Sequence, residues 1–226
     1  MPQVKKPEIR VAILDAAKRR FARKGYANTT LQQIARAARV STANVYVYFG
    51  SKLDILYEIY APWMRDRLTR LATELRAIPD RRERLRRLLR TLWREIPAAE
   101  GGFAINIMQA ISSMSREDGY KPELLDWMEG KLARLLAECL PPRRRGVATD
   151  RLAHLLVMAL DGFILYRHVD AARPCDDAML DLVCSLVLGD PLAGVKRAAP
   201  RARPRASARR RRGGHTSRSF QEGSRK

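Results

Sequence analysis

Three cysteines in 226 residues, Cys139, Cys175 and Cys184, are too few and too far apart for a disulfide framework or a metal site. They read as buried free thiols in a reducing cytoplasm. Catalytic signatures are missing too. The chain has no Gly-x-Ser-x-Gly elbow, no phosphate-cradling Gly-rich loop and no His-Glu-x-x-His zinc motif. Of its three histidines, His215 lies in a basic tail, while His154 and His168 fall on one expected helix without a partner nucleophile. The chain therefore reads as a non-enzyme with no cofactor and no metal. The longest apolar run, around Leu152–Leu160, carries His154 and is followed by Asp161, too short and polar to cross a membrane. The N-terminus lacks the layout of a signal peptide. Acidic residues are scarce as well, 24 against 44 Lys and Arg, and the net charge is +20.

That charge is uneven. Residues 196–226 hold 12 Lys/Arg against the single acid Glu222, and residues 1–60 hold 11 against 4, so the middle is nearly neutral. A polyanionic partner is implied, nucleic acid before anionic membrane. After Gly189-Asp190-Pro191 the composition turns to Arg, Ala, Pro, Ser and Gly, which builds no core and reads as a disordered basic tail. Such a tail near DNA adds salt-sensitive, non-specific affinity. Taken alone, it also admits a protein that coats or shapes DNA without reading its sequence.

The most informative stretch is residues 29–52. Thr30 and Gln33 have the spacing of a capping box, and Leu31, Ile34, Ala35 and Ala38 give the short helix behind it one apolar face. Ser41 caps a second short helix whose apolar positions are Val45 and Phe49. Gly50 ends it, and Ser51 with Asp54 opens a third. Upstream, Ile9, Ile13, Leu14, Ala17 and Phe21 form the stripe of a helix over 8–24. Two helices so short do not bury a core alone. Their order matches a helix-turn-helix, in which the second helix enters the major groove of DNA.

Beyond this head the apolar periodicity predicts only helices. They cover about 51–75 with Pro62 inside, 82–96, 102–114, 122–140, 149–169 and 176–188. Residues 102–114 are apolar nearly all round and read as buried. Arg82, Arg86 and Arg90 run at four-residue steps and read as a solvated face. The last two helices carry surplus apolar surface, seen in Leu156, Phe163, Val183 and Val187, which suggests a second subunit. The fold class is all-α. Residues 1–57 form a three-helix helix-turn-helix domain, 58–190 a helical bundle, and 191–226 the basic tail.

The runs Thr30-Leu31-Gln32-Gln33-Ile34-Ala35, Ala38-Arg39-Val40-Ser41 and Val45-Tyr46-Val47-Tyr48-Phe49-Gly50-Ser51-Lys52, with Phe21-Ala22-Arg23-Lys24-Gly25-Tyr26 upstream, resemble the TetR family of transcriptional regulators. The resemblance runs ungapped from residue 9 to about 57. It departs at Arg39, where the family usually has Gly in the turn. It implies a cytoplasmic homodimer that binds a double-stranded operator, usually as a repressor, and is released when a small molecule of unknown identity enters the bundle. It implies that Thr30, Tyr46 and Lys52 contact phosphates and that Thr42, Ala43 and Asn44 meet bases, with Ser41 and Tyr48 beside them. Asn44 suits adenine and the Ala43 methyl a thymine methyl. For the effector pocket, the candidates on the bundle helices are Trp93, Phe103, Asn106, Met108, Gln109, Ser113, Trp127 and Phe163.

Overall fold

The computed structural model describes residues 6–114, 122–169 and 175–190, and among these every regular element is helical. The basic tail expected at 191–226 lies outside the described residues. The helices are α1 (Pro7–Lys24), α2 (Leu31–Ala38), α3 (Thr42–Tyr48), α4 (Lys52–Arg76), α5 (Arg81–Arg90), α6 (Phe103–Ser112), α7 (Glu123–Cys139), α8 (Val147–Val169) and α9 (Asp177–Leu188).

Local chemistry sets most of the boundaries. Thr30 accepts from the Gln33 N–H at 3.2 Å while the Gln33 side chain accepts from the Thr30 N–H at 3.3 Å, a complete capping box. Ser41, Ser51, Asp80 and Asp176 cap α3, α4, α5 and α9 in the same way, each accepting from the N–H three residues on. The helix α4 runs unbroken through Pro62 and across the expected domain boundary at residue 57, so head and bundle share one helix.

The head packs α2 against α1 and α3 against α2, with Ile13, Phe21, Ile34, Val45 and Phe49 buried together. Below it, α4 lies against α6 and α7, α7 against α8, and α5 against α9. Three expectations change here. First, α6 is not buried all round: Ala104, Ile107 and Ala110 are buried, but Ile111 is 38% exposed. Second, the helix expected to reach residue 96 leaves α-geometry after Arg90. Thr91–Glu95 form a π-helical turn in which the Ile96 N–H donates five residues back to the Thr91 carbonyl at 2.9 Å. Arg67, Arg87 and Thr91 all bind the Glu95 carboxylate, which anchors the end of that turn.

Third, the arginine stripe is not merely solvated. Arg86 binds Asp181 at 2.9 Å and Asp177 at 2.8 Å, Arg82 reaches Asp190 at 2.9 Å and the Ser185 hydroxyl at 3.1 Å, and Arg94 binds Asp177 at 3.0 Å. The spacing that suggested an outer face in fact clamps α9 onto α5. The three cysteines are free and buried, and desolvation pushes the Cys139 thiol up to about 12 and that of Cys184 to about 11.

The apolar run read as too short for a membrane extends further than residue 160. Thr149–Val169 is long and apolar enough by composition to cross one, with a mean hydropathy of 1.3. Its inner side, Ala153, Leu156, Val157, Leu160 and Ile164, is instead buried against the bundle. The outer side leaves Leu155, Met158, Leu165, Tyr166 and Val169 exposed.

Candidate functional site

Between α2 and α3 the chain turns through Arg39, whose φ of 59° and ψ of 39° are left-handed. It is the one non-glycine with positive φ among the described residues. Its N–H caps the end of α2 by donating to the Arg36 carbonyl at 3.2 Å. The conformation costs a side-chain-bearing residue about 1–2 kcal/mol. Glycine removes that strain but loses more unfolded-state entropy, about 0.4–1 kcal/mol. Arg39→Gly is therefore expected to stabilise the chain by about 0.5–1 kcal/mol, a rise in melting temperature of roughly 2 °C. An unchanged or lower melting temperature in a thermal scan would show that the turn holds no strain.

The helix α3 is seven residues long and is pinned by one side. Val45 and Phe49 are buried, while Ala43 and Tyr46 are exposed, Tyr46 to 56%. Thr42, Asn44 and Tyr48 are half-buried. The Ser41 hydroxyl accepts from the Asn44 N–H at 3.1 Å, and the Tyr48 hydroxyl accepts from the Lys6 N–H at 2.8 Å. Asn44 has a buried side-chain carbonyl oxygen with no hydrogen-bond partner. An orphan acceptor of this kind costs about 1–3 kcal/mol, so turning the amide outward toward a donor is favoured.

Lys52 is placed differently from a free phosphate ligand. Its ammonium donates to the carbonyls of Tyr26 and Thr29, both at 2.9 Å, and sits 4.0 Å from the centre of the Tyr26 ring. Burial lowers its pKa. Two of its three donors are spent inside the protein, which leaves one for a phosphate. Lys52 thus ties the start of α4 to the loop that carries Thr30 and α2.

Asn106 and Gln109, read from the sequence as pocket candidates, grip the same loop from the bundle side. The Asn106 side-chain carbonyl accepts from the Tyr26 N–H at 2.6 Å, and its amide donates to the Phe21 carbonyl at 3.3 Å. The Gln109 carbonyl accepts from the N–H groups of Tyr26 at 3.1 Å and Ala27 at 3.4 Å. Gly25, at φ 77°, brings the backbone so close that an added Cβ would lie 3.1 Å from the Gln109 oxygen. Residues 25–29 are therefore held from below by α6 and from above by Lys52.

The other pocket candidates scatter. Trp93 donates its indole N–H to the Leu156 carbonyl at 3.2 Å, and its ring leans on Phe163 at 5.4 Å. Phe103 stacks on Trp63 at 5.2 Å. Trp127 lies under the Arg65 guanidinium at 5.5 Å, and the Ser113 hydroxyl donates to the Ala110 carbonyl at 2.9 Å.

A cavity of about 260 Å³ does open between α4, α6, α7 and α8, and of the eight candidates it takes Met108. Ile107 and Ile111 join Met108 from α6, and Leu124, Leu125 and Met128 face them from α7. Tyr57 and Tyr60 come from α4, and Val157, Met158, Leu160 and Asp161 from α8. Desolvation pushes the Asp161 carboxyl up to about 6. Burial and the nearby Asp161 charge raise Tyr60. Sequence reasoning missed Asp161, although an acid closing an apolar run was a visible signal.

Residues 13–59 match the family described as "Bacterial regulatory proteins, tetR family". Over 50 residues the chain is 52% identical to the HTH-type transcriptional regulator HbdR of Aromatoleum sp. (strain CIB), a match that spans 22% of each protein. The whole fold has counterparts among solved structures. FadR from Bacillus subtilis, solved with stearoyl-CoA, superimposes with a TM-score of 0.57 at 19% identity, covering 80% of this chain and 98% of that one. A transcriptional regulator from Saccharomonospora viridis, solved with choline, gives 0.55 at 24% identity, covering 80% and 94%. At these identities the two structures show the fold alone.

Proposed function

We propose that this chain, whose residues 13–59 belong to the tetR family of bacterial regulatory proteins, is a cytoplasmic repressor that binds an operator as a homodimer and leaves it when a small molecule enters the bundle. The observation that carries the reading is the head itself: a short helix, α3, with both ends fixed, an apolar back buried and Ala43 and Tyr46 presented outward. A two-residue buried footing suits a helix whose other face enters a groove. In this reading Thr42, Ala43 and Asn44 meet base edges, Tyr46 and Thr30 contact phosphates, and Ser41, Tyr48 and Lys52 position them.

The exposed stripe of α8 supports the dimer, and the cavity beside α6 supports an effector. Ile107, Met108 and Ile111 line the cavity on the same helix from which Asn106 and Gln109 hold the head. A ligand that moves α6 changes the grip on residues 25–29 and so the placement of α2 and α3. Solved relatives hold an acyl-CoA in one case and choline in another, so the fold alone does not select the effector.

Selection of bound duplexes from a random pool tests the reading. A regulator is expected to enrich one motif, preferred by about 10³-fold or more over random DNA. Asn44→Ala is expected to relax the preference at one position by about 1–3 kcal/mol, and Tyr46→Phe to weaken all duplexes alike. Uniform recovery of the pool would favour a DNA-coating protein driven by the basic tail. An unaltered motif with Asn44→Ala would remove that residue from base reading.

A further inference from the structure

The cavity wall holds one charge. Asp161 projects from α8 into a lining that is otherwise Ile, Leu, Val and Met, with Tyr57 and Tyr60 on the α4 side. No described residue gives its carboxylate a hydrogen bond or an ion pair. A carboxylate left half-buried beside hydrocarbon loses hydration without recovering it from a partner. No Lys or Arg lines the cavity to oppose it.

We propose that the cavity takes a compact organic cation, an amine or quaternary ammonium with an apolar body, whose charge is set against Asp161. This rests on the reading of the chain as an effector-responsive regulator and names the effector's chemical class. Three features converge on it. An opposite charge inside a cavity of low polarity interacts strongly with the carboxylate because water screens it little. Tyr57 and Tyr60 bring two aromatic side chains to the lining, and aromatic rings attract an ammonium carrying methyl or alkyl groups. At about 260 Å³ the cavity holds roughly nine water volumes, room for a ligand of about ten heavy atoms. The phosphates of an acyl-CoA would meet no cation in this wall and would be repelled by Asp161.

The pH response follows from the same wall. The groups facing Asp161 are Tyr57 and Tyr60 from α4, and burial together with the Asp161 charge raises the Tyr60 phenol. The helices α6 and α7 contribute only apolar side chains. With its pKa pushed up to about 6, Asp161 is ionised at pH 7.5 and protonated at pH 5.

Titration calorimetry of the full chain with benzyltrimethylammonium, at pH 7.5 and at pH 5, tests the proposal, with hexanoyl-CoA as the anionic comparison. The expected result is binding at pH 7.5 that weakens about tenfold or more in Asp161→Asn, and likewise in the wild type at pH 5. Hexanoyl-CoA is expected to bind more weakly than the cation. Unliganded Asp161→Asn should melt higher than the wild type at pH 7.5, since it removes a poorly solvated charge, so its lost binding does not reflect unfolding. No binding of the cation by the wild type, equal affinity in Asp161→Asn, or tighter binding of hexanoyl-CoA would each overturn the proposal. A cation that binds through Asp161 without releasing the selected duplex sustains the cavity assignment while refuting the regulatory reading.

Discussion

Leu155→Glu combined with Tyr166→Glu is expected to give a chain that folds like the wild type, sediments as a monomer near 25.7 kDa, and binds its selected duplex about 10²-fold or more weakly. Leu155 is 62% exposed and Tyr166 54% exposed in the single chain. Charging them therefore removes no packing within the subunit, and surface changes of this kind usually stay within about 0.5 kcal/mol. Eleven residues apart on a helix, they lie within about 20° of each other, with Ala159 and Gly162 between them and Met158, Leu165 and Val169 along the same side. A Cβ added at Gly162 meets nothing within 4 Å, so the centre of the stripe is open and narrow enough for a second helix to approach closely. Met179 and Leu186 on α9 are exposed as well. If a second copy covers the stripe, two buried carboxylates without partners cost several kcal/mol. Without the dimer a single α3 reads one half-site, and the gain from engaging two is lost. Analytical ultracentrifugation of the wild type at micromolar concentration decides the premise. A mass near that of one chain would remove the dimer and the two-half-site mechanism together.

The residues of that stripe mark where sequence reasoning reached its limit. Periodicity found a helix over 149–169 with more apolar surface than one contact needs, yet it pointed to Leu156 and Phe163. Leu156 is 3% exposed and Phe163 is half-buried beside Trp93. A helix apolar over most of its circumference does not state which side its own chain covers. The head was far more legible. Thr30, Ser41 and Ser51 cap the elements they were read to cap, and a non-glycine residue takes the left-handed turn at Arg39. Caps and turns are decided within four residues, so their chemistry is written locally. The cavity is decided by four helices at once. Met108 reaches it, while Asp161 and the two tyrosines were legible only as members of their own helices. The arginines of α5 show the same limit, since their partners on α9 lie about ninety residues away.

Asn106→Ala is expected to lower the unfolding free energy by about 2–4 kcal/mol, with Gln109→Ala costing less than about 1 kcal/mol. Both side chains are pocket candidates by sequence, and their partners are backbone groups of the head. Asn106 is 2% exposed. Removing its amide leaves the Phe21 carbonyl with the Gly25 N–H alone, at 2.9 Å, and the Tyr26 N–H with the longer bond to Gln109. Each hydrogen bond so lost costs about 0.5–1.5 kcal/mol, and the lost side-chain volume adds to it. Gln109 is half-buried, and water replaces its carbonyl at little cost. The larger effect should be confined to one place. Residues 25–29 are bound on one side by Asn106 and on the other by Lys52, so loosening one grip frees the loop that sets the start of α2. Amide exchange is expected to accelerate at Tyr26–Thr29 and along α2 and α3 while α7 and α8 stay protected, with a matching loss of affinity for the selected duplex. Uniform acceleration across all helices, or none in the head, would show that Asn106 serves general stability and does not join bundle to head.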